Sequence, residues 1–206
     1  MLYKIIIVIC SIVAAGFAQC GGCLVSSRAG LKAGITWNSY DPGDGTNGFS
    51  GTGSHFGFGM GMDFLKLISV DITPQLNNDN YTRREMIFER TYSYSNLYFP
   101  IFVSLKAGMI PLVSPYIGLG LAFNMMASGT ETLRWPNGDI YSQTSLGGAM
   151  SPAYLMLGGG VEVKLLKFRI SPEFTVHIQP TDPEDPTPPP AQSINYHLSL
   201  GFYYTP

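Results

Sequence analysis

Past residue 25 the chain alternates apolar and polar side chains, a period of two that sends successive residues to opposite faces of a strand. Residues 28–38, RAGLKAGITWN, set Ala29, Leu31, Ala33, Ile35 and Trp37 against Arg28, Gly30, Lys32, Gly34, Thr36 and Asn38. The stretch HFGFGMGMDF, 55–64, sets Phe56, Phe58, Met60, Met62 and Phe64 against His55, Gly57, Gly59, Gly61 and Asp63. Segments near 68–77, 96–106, 116–125, 153–164, 169–178 and 194–204 follow the same rule. The pattern predicts eight strands of about ten residues each.

The connections sort by length. Those after the second, fourth and sixth strands are short (LKL, AGMIPLV, LLK), and those after the first, third, fifth and seventh are long and polar. This is the asymmetry of an up-and-down membrane barrel, with tight periplasmic turns and long outer loops. The apolar face carries no charge in any strand, whereas the other holds Arg28, Lys32, Lys106, Lys164 and Arg169 with Asp63, Asp71, Glu162 and Glu173. A lipocalin-like soluble barrel would turn its apolar face inward. Here the polar face is too rich in glycine and serine for a water-facing surface and suits a narrow lumen, where glycines leave room for longer polar neighbours. The expected fold is all-β, an eight-stranded antiparallel up-and-down transmembrane β-barrel with hydrocarbon on its apolar face. Pro74, Pro100 and Pro172 predict bulges or later starts in three strands, because proline removes a ladder hydrogen bond.

Composition agrees. Of 206 residues only 13% are charged, about half the usual share, and 24 glycines and 13% aromatics suit strands and turns. A net charge of -2 without a basic cluster argues against a nucleic-acid partner. Lys4 followed by the apolar run 5–18, ending in small residues, reads as a removed signal peptide over 1–18, since a span needs roughly 20 residues. Residues 19–27 then form a flexible N-terminus and 28–206 the barrel domain. Cys20 and Cys23 lie in that terminus; Gln19 disfavours lipid attachment, and no βαβ pattern supports a redox role. The long loops hold ten acidic residues and four arginines, a net of -6, and the short turns add Lys66 and Lys167. An acidic outer mouth and a slightly basic periplasmic rim follow.

The glycine run is G-x-G-x-G with no helix after it, which is not a phosphate-binding spacing. DPGDGTNG, 41–48, lacks calcium-loop spacing and reads as turn chemistry. The nine lumenal charges pair with one another and plug a barrel half the size of a diffusion pore, which takes roughly sixteen strands. His55, His177 and His197 share the lumenal face toward the mouth. They are candidate transition-metal ligands, but nothing fixes their mutual distance, and hydrogen-bonded lumen residues are the plainer reading. His197 and Ser199 with Glu173 on the neighbouring strand suggest an acyl-transfer triad, yet alternation puts them inside the barrel, away from a lipid substrate. No catalytic residue, cofactor or metal is assigned. The second loop, NYTRREMIFERTYSYS, is apolar and aromatic enough to continue strands three and four above the membrane, and a protruding sheet edge captures chains by strand addition. The expected partners are outer-membrane lipid and a surface protein reached through loops 77–95 and 179–193, the latter proline-rich and acidic, with the barrel itself a monomer.

The stretches AGLKAGITWN, LYFPIFVSLKAG, SPYIGLGLAFN and RISPEFTVHI resemble the PorT-like small outer-membrane barrels of the Bacteroidetes, within the wider set of eight-stranded barrels that includes OmpA and OmpX. The resemblance covers nearly the whole mature chain and implies barrel type and a Gram-negative outer membrane. It brings no catalytic residues, and the part PorT plays in protein secretion is not carried over. The role expected is structural or surface-interacting, through the outer loops. The alternatives are a lipid A-modifying enzyme of the same architecture and a narrow transporter of small apolar molecules.

Overall fold

A computed structural model describes residues 25–41, 48–85, 87–107, 112–146, 153–179 and 192–206. Its strands are β1 (Val25–Asp41), β2 (Phe49–Phe64), β3 (Ile68–Ile72), β4 (Gln75–Arg84), β5 (Glu89–Lys106), β6 (Val113–Arg134), β7 (Ile140–Leu146), β8 (Tyr154–Leu165), β9 (Phe168–Ile178) and β10 (Gln192–Tyr204). All pair antiparallel, and β1 meets β10 from Ala29 opposite Tyr204 to Asp41 opposite Gln192, which closes the ring. β3 and β4 are two parts of one wall strand, and β7 pairs only with β6, so the wall has eight strands. Closure leaves no sheet edge at membrane depth, the condition for strands to cross a bilayer.

The two faces part as alternation requires. Ile117 is 71% exposed and Leu119 62%, while Arg28, Lys106 and Glu162 are 5% or less exposed. Apolar side chains outside and charges inside are stable only with hydrocarbon around the wall. The short turns follow hairpin twist: Leu65, Lys66 and Leu166 take φ of 54°, 58° and 56°, the left-handed geometry that matches twisted strands.

Several expectations need correction. Pro74 does break the third wall strand, between β3 and β4, but Pro100 and Pro172 sit inside uninterrupted strands. Pro100 accepts from Thr73 N at 3.1 Å, and because N–H and C=O of one strand residue point to the same side, its missing donor faces the break at Thr73–Pro74. The β8–β9 ladder likewise lapses between Gly160–Glu173 and Val163–Ile170, where Pro172 stands. β1 begins at Val25, so the barrel takes in residues 25–27 of the expected flexible terminus. The expected signal peptide, both of its neighbouring cysteines and most of the first and last long loops lie outside the described residues.

The greatest departure is height. Strands of about ten residues suffice to cross the bilayer, but β5 has 18 residues and β6 has 22. β4, β5, β6 and β7 continue upward as one sheet. The segment 77–95 is mostly strand, continuing the third and fourth wall strands as its apolar and aromatic content implied, but β4 and β5 each have neighbours on both sides, so neither offers the edge expected of it. That edge belongs to β7.

Candidate functional site in the lumen and above the rim

The lumen is filled in layers. At the periplasmic end Arg28 reaches Asp63 at 2.8 Å, Asp71 at 2.6 Å and Glu162 at 2.9 Å. Lys106 bridges Asp63 and Glu162 at 2.8 Å each, and Arg169 bridges the same two carboxylates. Lys164 lies 3.7 Å from Glu162. Above this group Lys32 pairs with Glu173, which also accepts from the Tyr116 hydroxyl at 2.9 Å. The space between the two ionic groups is about 20 Å³, room for roughly one water. All nine lumenal charges thus meet an opposite charge, although they come from six elements of the wall.

The interleaved glycines make this packing possible. A Cβ on Gly57 would stand 2.5 Å from Gln75 Cβ, on Gly59 2.7 Å from Tyr203 Cε1, and on Gly61 2.1 Å from Asp71 Oδ1. Each empty position is filled by a side chain from another strand: Gln75 and Asp71 from the adjacent β4 and β3, and Tyr203 from β10, one strand further on.

The three histidines do come together. His177 and His197 stack with ring centroids 3.8 Å apart, and His55 lies 5.2 Å from His197. Both nitrogens of His177 are spent on protein partners, Nδ1 on the Tyr98 hydroxyl at 2.6 Å and Nε2 on Thr175 at 2.9 Å, whereas His55 Nδ1 is buried without a hydrogen-bond partner. Among the described residues no group of histidine, cysteine or carboxylate side chains has the geometry to hold a metal. Ser199 is bonded by His55 Nε2 at 2.9 Å, so the imidazole beside it is not the sequence-adjacent His197. Glu173 stands opposite Ser199 in the ladder but serves Lys32 and Tyr116.

Asp79 was missed as a lumen residue because it was counted with the second loop. It is 6% exposed and accepts from Thr36 and Asn38 at 2.8 Å each. The signal was present: Gln75, Asn77 and Asp79 continue the alternation around outward Leu76 and Asn78.

Above the rim the inner face of the sheet is aromatic and charged. Tyr40, Phe49, Tyr92 and Tyr94 form a chain of ring contacts of 5.2–6.1 Å, and the Arg83 guanidinium covers Phe49 at 4.4 Å. Arg83 also donates to Glu85 at 2.5 Å, holding that carboxyl below its ordinary range. At the tips of the two hairpins Phe88, Trp135 and Tyr141 cluster with centroids 4.7–5.3 Å apart. Beside them Ile87 and Ile140 are exposed. The adjoining strand β7, IYSQTSL, has no charge and no proline, and among the described residues its outer edge is unpaired.

No protein-family model and no curated protein sequence matches this chain. Solved structures similar to it include Ail of Yersinia pestis, with a TM-score of 0.43 and 12% identity over 87% of this chain and 99% of that one. Neisserial surface protein A gives 0.44 and 11%, over 87% and 97%. The outer membrane protein OprG of Pseudomonas aeruginosa gives 0.36 and 11%, over 88% and 94%. At these values no residue here takes a role from them. The assignment to a Gram-negative outer membrane rests on the barrel itself: closed, even-stranded, short-turned at one end and apolar around its waist.

Proposed function

We propose that this outer-membrane barrel is a non-enzymatic surface-interaction protein whose lumen is plugged and whose working part is the sheet β4–β7. The carrying observation is the uncharged edge of β7, unpaired among the described residues, next to a cluster of half-buried Phe88 with exposed Trp135 and Tyr141. Natural sheets blunt their edges with lysine, proline or a covering element; β7 contains neither residue, and nothing among the described residues covers its edge. An extended segment of a partner protein adds to such an edge through main-chain hydrogen bonds, with an aromatic knob to anchor one end. The filled lumen supports a structural barrel in preference to a transporter. The likeness of four strands to PorT-like barrels supports a Bacteroidetes source.

The test has two parts. The expressed protein is expected in the outer-membrane fraction, with a boiling-dependent shift on a denaturing gel, and to be silent in planar bilayers. Replacing 85–88 and 135–139 by two-residue turns is then expected to abolish surface binding while the shift persists. A conducting wild type would remove the plugged-lumen reading, and binding that survives the loss of both tips would remove the sheet as the working part.

A further inference from the structure

The outer face of the protruding sheet has a chemistry of its own. Its last apolar row is Leu76 opposite Leu97, on the hydrocarbon-facing side. The next row up, Asn78–Ser95–Ser128, and the one above it, Asn80–Ser93–Thr130, follow the pairings of β4, β5 and β6. They lie outward because the intervening Asn77 and Asp79 are buried in the lumen. No member of either row is charged. Between them runs an open hollow of about 480 Å³.

Hydrogen bonding within the rows is one-sided. Ser95 Oγ donates to Asn78 Oδ1 and Ser93 Oγ donates to Asn80 Oδ1, each at 2.7 Å. Each carboxamide has its oxygen engaged and keeps its N–H groups as donors, and each serine oxygen keeps lone pairs as acceptors. The result is paired donors and acceptors, the complement of neighbouring sugar hydroxyls, with no cation for a phosphate; the one acidic residue along the hollow, Asp79, turns its carboxylate into the lumen onto Thr36 and Asn38.

Height selects the occupant. Two residues of a strand tilted by about 40° raise the first polar row roughly 5 Å above the last lipid-facing one, the level at which head groups begin. We infer that this hollow binds an uncharged saccharide unit in the head group of the outer-leaflet glycolipid surrounding the barrel. The inference rests on the outer-membrane reading and extends it from protein partners to the lipid itself.

The protein would be placed in nanodiscs containing lipopolysaccharide with its core oligosaccharide, and in nanodiscs containing lipid A alone. Saturation-transfer NMR would read protein contact with core sugar protons. Contact is expected for wild type, with a loss of about tenfold in Asn78→Asp/Asn80→Asp, which keeps size but exchanges donors for acceptors. A second pair, Asn78→Leu/Asn80→Leu, is expected to lose contact equally, which separates donor loss from added charge. Absence of transfer in wild type, or transfer unchanged in both pairs, overturns the inference. Free core oligosaccharide binding as tightly as the lipid-linked form would assign the hollow to a soluble glycan and overturn the head-group assignment. The boiling-dependent gel shift of each sample is read in parallel, so failure of the barrel reading is seen separately.

Discussion

Arg28 Nη1 on β1 and Glu162 Oε2 on β8 lie 2.9 Å apart although β10 and β9 stand between their strands in the wall. The bond crosses the lumen and ties opposite sides of the barrel. Around it Arg28, Lys106 and Arg169, with Lys164 at the margin 3.7 Å from Glu162, face three carboxylates, Asp63, Asp71 and Glu162.

Arg28→Met strands the Asp71 carboxylate without its cation, and an uncompensated buried charge costs about 3–5 kcal/mol. Asp71 has no other cationic partner in this group, so Arg28→Met/Asp71→Val removes the stranded carboxylate together with its partner. The double variant is expected to recover more than half of the loss. Urea unfolding in lipid vesicles, followed by fluorescence of Trp37 on the outer face, reads both values. A double variant less stable than Arg28→Met would mean that the network acts through Asp71 and not through charge balance.

Gly61 tests the packing of the same layer. One added carbon would stand 2.1 Å from Asp71 Oδ1 and 2.9 Å from Arg28 Nε, and overpacking of this kind costs about 1–3 kcal/mol. Gly61→Ala is expected to lower the unfolding midpoint accordingly, while Met62→Leu, one residue away and lipid-facing, is expected to change it by less than about 1.5 kcal/mol. Equal effects would show that the glycine is not reserved for Asp71 and Arg28.

These two sites also show what was legible in the sequence. Alternation is enforced wherever one face meets hydrocarbon and the other a packed polar lumen, so the wall, its closure and the nine lumenal charges could be read from pattern alone. Above the bilayer both faces of a strand meet water. Ser142, Gln143, Thr144 and Ser145 therefore carry no period, and β7 goes unseen along with the upper length of β6, whereas the aromatic residues of 77–95 did announce the upward run of β4 and β5. Asp79 was misplaced by the same fault, a strand drawn too short. The Ser199 partner lay beyond sequence for another reason: pairing of His55 with Ser199 depends on inter-strand register and rotamers, whereas proximity in sequence favoured His197.

Leu166 holds φ at 56° in a tight turn, a conformation that costs an L-residue other than glycine or asparagine roughly 1–2 kcal/mol. Its side chain is fully exposed, so little packing offsets that cost. Leu166→Asn is expected to stabilise the barrel by about 0.5–1 kcal/mol, since asparagine tolerates this region. A lower midpoint for the variant would show that the leucine anchors the turn in the lipid interface.

His55 and Ser199 form a buried hydrogen bond at 2.9 Å in a packed lumen. Ser199→Ala is expected to leave the acyl pattern of lipid A unchanged in cells expressing the protein, by mass spectrometry, and to lower stability by about 1–3 kcal/mol through the orphaned imidazole nitrogen. A wild-type-dependent change in lipid A that the alanine variant lacks would make this an enzyme.

The edge of β7 gives the last prediction. A strand added there would bond only those β7 amides that point away from β6, every second residue, because the others already serve β6. With a soluble alternating Thr-Val heptapeptide as probe and the protein in nanodiscs, hydrogen exchange is therefore expected to slow at alternate β7 amides and nowhere on β4 or β5. Gln143→Lys adds the charge that guarded edges carry, and Tyr141→Ser removes the anchor at the strand's start. Each is expected to weaken peptide binding about tenfold, whereas a lysine at Ser93 on interior β5 is expected to have no effect on it. Protection spread over the whole sheet, or binding indifferent to both β7 changes, would show that the peptide meets a sticky surface and not a free strand edge.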